Sequence, residues 1–111
     1  DVIGNPTPAH VLATPTILGL IEVTAAHALL PHIPSQCLYV GMHVDLSHLR
    51  PTPVGMDVTV TVDLAQIRGN KFDWIVTLHD AIEKVAEAQL TTALVPAEEF
   101  MAHAASKQAQ R

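Results

Sequence analysis

The apolar residues change their period once along the chain. Ile17, Leu20, Ile21, Ala25 and Ala28 recur at helical spacing, which builds the apolar stripe of a helix packed on a core. Thr14-Pro15, just ahead of them, reads as an N-cap residue followed by proline at the first helical position. Pro31 ends the run, because the residue before a proline avoids the helical region. A helix over about 15–30 is therefore expected, followed by a loop holding Pro31, Pro34 and Ser35. From Leu38 the period becomes two. Leu38, Val40, Met42, Val44 and Leu46 alternate with Gly41, His43, Asp45 and Ser47, which predicts a half-buried strand with the even positions facing inward. Val58, Val60, Val62 and Leu64 repeat the alternation after Arg50-Pro51-Thr52-Pro53, and Phe72, Trp74, Val76 and Leu78 resume it after a turn at Arg68-Gly69-Asn70. His79-Asp80 opens another turn, residues 85–95 read as a weaker last strand, and Ala97 to about Ser106 as a short helix.

One long helix followed by four antiparallel strands is an α+β arrangement in which the sheet wraps and buries the helix. With 111 residues the chain is long enough for one compact domain, and a single domain is expected. The segment of residues 1 to 13 is rich in proline and small residues. The first residue is Asp1 and no charged-then-apolar leader follows, so neither a native start nor a signal peptide is legible, and a missing N-terminal piece is expected.

Charge narrows the partners. Six Lys+Arg against eleven Asp+Glu give a net charge of −5, without the basic footprint that phosphate-backbone binding requires, so nucleic acid is not an expected partner. Only 15% of residues are charged while 49% are hydrophobic, lean in charge for a small domain, and part of the apolar surface is expected in a homodimer interface. Prolines and histidines interrupt the uncharged stretches, so no run of about 20 apolar residues suits a bilayer span and no membrane association is expected. The single Cys37 cannot form a disulfide within the chain. A cytoplasmic setting follows by default.

Glu22 is the most informative position, being the only Asp, Glu, Lys or Arg between Asp1 and Asp45. It lies mid-helix with Leu18, Ala25, Ala26 and Leu29 at the flanking positions. An ionised carboxylate buried there costs several kcal/mol, roughly, unless it has a partner or a shifted protonation state; the alternative is a solvated helix edge. His48 continues the even row of its strand and is expected to point inward near a loop, where it is either a general acid-base group or a core histidine bonded to a backbone carbonyl. Thr14 is either a plain N-cap or a group that acts on substrate beside the free N–H groups of a helix start. His43 and Asp45 share the outward parity but lack an evident third ligand, so no metal site is expected. Cys37 precedes a strand and gives weak support for a nucleophilic thiol.

Leu12-Ala13-Thr14-Pro15 through Leu20-Ile21-Glu22, then Gly41, then His48-Leu49-Arg50-Pro51-Thr52-Pro53-Val54-Gly55, together resemble the hot-dog-fold thioesterases related to fluoroacetyl-CoA thioesterase. The resemblance runs from about residue 10 to residue 100 and implies a long central helix wrapped by an antiparallel sheet. It also implies a catalytic set of Thr14, Glu22 and His48, with Gly41 near the substrate carbonyl. The family's strand ahead of the helix is not recognisable here. Its late G-x-G-T-H-E-R strand is here Ala86-Glu87-Ala88-Gln89-Leu90-Thr91-Thr92, with Leu90 and Thr92 in place of histidine and arginine. The aromatic lid associated with fluoroacetyl selectivity has no counterpart among Asn5 to His10, so fluoroacetyl-CoA is not the expected substrate.

The implied function is hydrolysis of a short or medium acyl-CoA, with CoA entering only as part of the substrate and no separate cofactor. His48 would shuttle the proton, Glu22 would be the nucleophile or the base for water, and Thr14 would position the thioester or be acylated. Eight helical residues rise about 12 Å, so Thr14 and Glu22 cannot simply bond to each other; either the substrate spans the gap or the set is completed across subunits. Thr52 and Pro53 are expected to shape the mouth of the site. A non-catalytic hot-dog dimer binding acyl-CoA or another apolar ligand is the alternative.

Overall fold

The computed structural model describes residues 11–110. Helix α1 spans Thr14–Leu29 and a 3-10 turn, Leu30–His32, follows it. Strands β1 (Cys37–His48), β2 (Thr59–Arg68), β3 (Lys71–His79) and β4 (Lys84–Pro96) precede a last helix, α2 (Ala97–Ala109). The four strands form one antiparallel sheet in the order β1-β4-β3-β2, so β1 and β2 are its edges. The expected α+β architecture is present, with α1 laid across one face of the sheet. The expectations about a missing first strand and an absent aromatic lid fall on residues 1–10, outside the described residues.

Helix α1 forms where the apolar spacing places it and buries one stripe, Ile17, Ile21, Ala25 and Leu29. Ala28 belongs to the exposed side instead. Pro31 is accommodated in the 3-10 turn, where a proline near the start leaves no helical donor unpaired. The helix stripe packs against Phe72, Trp74, Val76 and Leu78 of β3 and against Val85, Ala86, Ala88 and Leu90 of β4. These two strands are central, and the helix closes their inner face. β2 and β3 are joined by the two-residue turn Gly69-Asn70, with Gly69 at φ 64°. That left-handed backbone at the first central position suits the primed turns that match strand twist, and only glycine adopts it freely. On the outer face Arg68 binds Asp73 through two hydrogen bonds, of 2.6 and 2.9 Å, and Thr91 donates to the same carboxylate at 2.9 Å, linking β2, β3 and β4. The Arg68 guanidinium, first of all by hydrogen bonding, holds the Asp73 carboxyl down at about 2.

The alternation in β1 is where the structure departs from the pattern. Gly41 pairs with Thr92 but His43 pairs with Thr91, so Met42 is an extra residue in a β-bulge. A bulge reverses the parity of the strand. Val44, Leu46 and His48 lie opposite Leu90, Ala88 and Ala86 on the helix side, as expected, whereas ahead of the bulge it is Tyr39 and Gly41 that share the inner face, opposite Leu94 and Thr92. Tyr39, Val44 and Leu46 accordingly pack on the core and Leu38 and Val40 do not. The continuous even row expected from Leu38 to His48 is thus two half-rows of opposite parity.

Among the described residues no helix is long and apolar enough to cross a membrane.

Candidate active site

The start of α1 and the end of β1 meet at one polar contact. Thr14 Oγ1 and His48 Nδ1 are 2.9 Å apart. Thr14 is not the N-cap that its place before Pro15 suggests. The cap residue is Ala13, with extended backbone, and no side chain caps the helix. The N–H groups of Thr16 and Ile17 both go to the Ala13 carbonyl, at 3.0 and 3.1 Å. Pro15 has no N–H, so the helix start offers few free N–H groups beside Thr14. The Thr14 hydroxyl is released from capping and points to the imidazole instead.

His48 faces inward, as its parity within the second half of β1 requires. Its Nε2 is buried and has no hydrogen-bond partner. An unpaired buried ring nitrogen costs roughly 1–3 kcal/mol, so this arrangement makes sense if a ligand supplies the missing partner. With Nδ1 held by Thr14, Nε2 is the atom left to give or take a proton. The core-histidine alternative, a ring bonded to a backbone carbonyl, is not what the structure shows.

Glu22 stands two turns further along α1, beside Gly41. A Cβ added at Gly41 would lie 3.8 Å from Glu22 Oε2. The carboxylate is exposed rather than buried, which corrects the expectation of a desolvated charge: in the single chain this side of α1 is an open edge. Two clefts converge there, one of about 410 Å³ lined by Glu22, Gly41, Met42, His43, Val44 and Leu90. The other, of about 250 Å³, is lined by Glu22, Val23, Ala26, Tyr39, Gly41 and Thr92. The bulge at Met42 is what turns Gly41 toward the helix, so the glycine leaves the space over the carboxylate open.

The family model described as a fluoroacetyl-CoA-specific thioesterase matches residues 3–98. The chain belongs to this thioesterase family. It is 29% identical over 98 residues to the fluoroacetyl-CoA thioesterase of Streptantibioticus cattleyicolor, covering 88% of this chain and 70% of that one. A solved mutant of the fluoroacetyl-CoA-specific thioesterase, in complex with fluoroacetate and CoA, superposes with a TM-score of 0.81 at 29% identity, over 87% of this chain and 76% of that one. A hot-dog-like protein from Thermanaerovibrio acidaminovorans gives a TM-score of 0.84 at 21% identity, over 88% and 73% of the two chains, and places the fold among the hot-dog domains.

Two positions that differ from the fluoroacetyl-CoA thioesterase pattern have become part of the core. Leu90 is 3% exposed and Thr92 2%. The Thr92 hydroxyl accepts the Trp74 Nε1–H at 3.0 Å, so the small side chain is tied to the tryptophan and no cation stands there. Tyr39 packs beside them, and burial pushes its hydroxyl up from the ordinary tyrosine range. The alternation pattern had turned Tyr39 outward; the signal that would have placed it is a glycine inside a strand, which marks a bulge or a close approach. His43 and Asp45 are exposed, opposite Thr91 and Gln89 of β4, and His43 also borders the larger Glu22 cleft.

The open space at Gly41 makes a prediction. Gly41→Ala places its methyl at ordinary contact distance from Glu22, so it should fold as well as the parent, and loss of glycine inside a strand favours stability slightly. The methyl nevertheless takes the space over the carboxylate. Acyl-CoA hydrolysis should fall by roughly one to two orders of magnitude, the effect expected of a reacting group displaced by about 1 Å. Unchanged kcat/KM would remove Gly41 from the substrate's path.

Proposed function

We propose that the protein hydrolyses a short or medium acyl-CoA to free acid and CoA, using Glu22, His48 and Thr14. The observation that carries this reading is the Thr14–His48 pair with a buried, unpartnered Nε2, in a chain whose family is a thioesterase family. Glu22 is open to the cleft, so water reaches its carboxylate. It takes a proton from water as the oxygen attacks the thioester carbonyl. His48, hydrogen-bonded to Thr14 through Nδ1, delivers a proton from Nε2 to the departing sulfur as the C–S bond breaks. The proton on Glu22 then restores the imidazole, leaving acid and CoA thiol. Substrate selection in the relatives that act on fluoroacetyl-CoA does not transfer with the family, and a panel of acyl-CoAs assayed for released CoA tests the reading. Binding of acyl-CoA without CoA release would favour the non-catalytic alternative.

The working unit in this reading is a homodimer with each site completed across it. Within one chain Thr14 and Glu22 are separated by about 12 Å of helix. Gly41 and His48 are separated by about 20 Å of strand. The edge of β1 supports the pairing: it is 12 residues long with Asp45 as its only Asp, Glu, Lys or Arg, and such an edge is normally covered. Antiparallel pairing of two β1 strands about a twofold axis at Asp45, with the bulged Met42 not counted as a step, keeps inward residues opposite inward ones and sets Gly41 and Glu22 of one protomer beside His48 of the other. Sedimentation at micromolar concentration should show a dimer, and a stable folded monomer would overturn this. Mixing inactive Glu22→Gln and His48→Gln proteins through a dissociating step should restore measurable hydrolysis, since one of the two sites in a mixed dimer then holds both native groups. No recovery would place the whole set within one chain.

A further inference from the structure

The segment that follows His48 holds a polar contact that the hydrolytic chemistry does not use. Thr52 is 2% exposed, and its Oγ1 donates to Asp80 Oδ2 at 3.1 Å. Asp80 is itself fixed. Its Oδ1 accepts the N–H groups of Ile82 and Glu83 at 2.8 and 2.9 Å, and its own N–H donates to the Glu83 carbonyl at 3.0 Å. The carboxylate thus caps the turn between β3 and β4, and these backbone bonds hold its carboxyl below the ordinary aspartate range.

The backbone of Thr52 reaches the other way. Its carbonyl accepts the Leu12 N–H at 2.9 Å, and Val11 and Pro53 form an isolated bridge beside it. Between His48 and Thr52, the N–H groups of Leu49 and Arg50 both bond the Val85 carbonyl, at 2.8 and 3.2 Å. A closed circuit results. It runs from His48 along the chain to Thr52, across a backbone bond to Leu12, along the chain to Thr14, and back to His48 through the 2.9 Å contact. The Thr52 hydroxyl pins this circuit to the β3–β4 turn at the point where its two strands of chain meet. Thr52 and Pro53, expected to shape the mouth of the site, line a cleft of about 260 Å³ with Leu12, Ala13 and Thr16 at the start of α1, while the Thr52 hydroxyl is engaged by Asp80.

We propose that Thr52 and Asp80 are positioning residues, whose buried hydrogen bond holds the Thr14 hydroxyl in register with the His48 imidazole. A side chain kept at this place for packing alone would do as well as valine, which has the same shape and no hydroxyl to satisfy. The hydroxyl is needed because two segments from distant parts of the chain must meet to within a fraction of an ångström. Loss of such registry by about 1 Å costs about a hundredfold in rate.

The proposal rests on the thioesterase reading for its kinetic consequence but not for its structural one, and the test has an arm for each. The imidazole nitrogen signals of His48 are followed by NMR in the wild type, Thr52→Val, Thr52→Ser and Thr14→Val proteins, and acyl-CoA hydrolysis is measured beside them. Thr52→Val should move the His48 signals in the same direction as Thr14→Val and lower kcat by about ten- to a hundredfold with little change in KM. Thr52→Ser should restore both. Thr52→Ala, which removes the hydroxyl and leaves Asp80 capping the turn, gives an independent variant should Thr52→Val fold poorly, and it should move the same signals. Unmoved His48 signals in the folded variants would overturn the proposal. So would a loss confined to KM, or a serine variant as impaired as the valine one. A wild-type protein inactive on every acyl-CoA would remove the thioesterase reading alone, and the NMR arm would still decide the positioning role.

Discussion

Replacing His48 by glutamine should lower acyl-CoA turnover by about 10²–10⁴, the range expected when an acid-base group is lost from the transition state. The amide of glutamine can still bond the Thr14 hydroxyl, so the contact between the end of β1 and the start of α1 has a substitute. What it lacks is a ring nitrogen that can pass a proton to the leaving sulfur. The folded state should survive, because Nε2 makes no hydrogen bond in the chain and the glutamine amide leaves one buried polar atom unpaired as the imidazole does, so a cost is exchanged rather than added. Thr14 separates orientation from covalent chemistry. Thr14→Val should cost about a hundredfold if the hydroxyl only orients the ring, and as much as the upper end of His48→Gln if the hydroxyl is itself acylated. Thr14→Ser should remain active in both cases. A His48→Gln protein that hydrolyses acyl-CoA at the parent rate would remove His48 from the chemistry and leave the Thr14 contact as packing.

Much of this arrangement was legible in the chain, and the exceptions share a cause. The helix and all four strands follow from period alone, because a stripe at helical spacing and an alternation of two each have one packing solution. Thr14, Glu22, Gly41 and His48 came from a spacing that resembles a thioesterase family, and the structure brings Thr14 to His48 and Gly41 to Glu22. Three features do not follow from period or local signature. The bulge at Met42 reverses the parity of half a strand, and no alternation count detects an inserted residue whose own type is apolar. Thr14 before Pro15 has the local signature of an N-cap, yet the cap lies one residue earlier, because the tertiary contact with His48 competes for the hydroxyl. The Thr52–Asp80 bond joins residues 28 apart in sequence, and neither type nor spacing announces it. Local pattern fixes elements; the bonds that set the site are between elements.

Glu22 shows how the same distinction changes an expected measurement. As the lone charge in an apolar helix it reads from sequence as a desolvated carboxylate, and Glu22→Gln would then raise stability by removing that cost. In the structure the carboxylate is exposed to the cleft beside Gly41, so there is little desolvation to relieve, and an exposed substitution of this kind changes stability by no more than about 0.5 kcal/mol. The melting temperature of Glu22→Gln should therefore match that of the parent closely. Activity should not: glutamine keeps the shape but cannot take the proton from water, and turnover should fall by about 10²–10⁴. Glu22→Asp retains the charge one methylene further from the thioester and should fall between the two. Pairing of protomers along β1 would cover the cleft, and any rise in melting temperature of Glu22→Gln would then grow with protein concentration, since only the dimer desolvates the carboxylate. A Glu22→Gln protein that melts early and hydrolyses acyl-CoA normally would make the carboxylate a structural group and turn the reading toward a binding module.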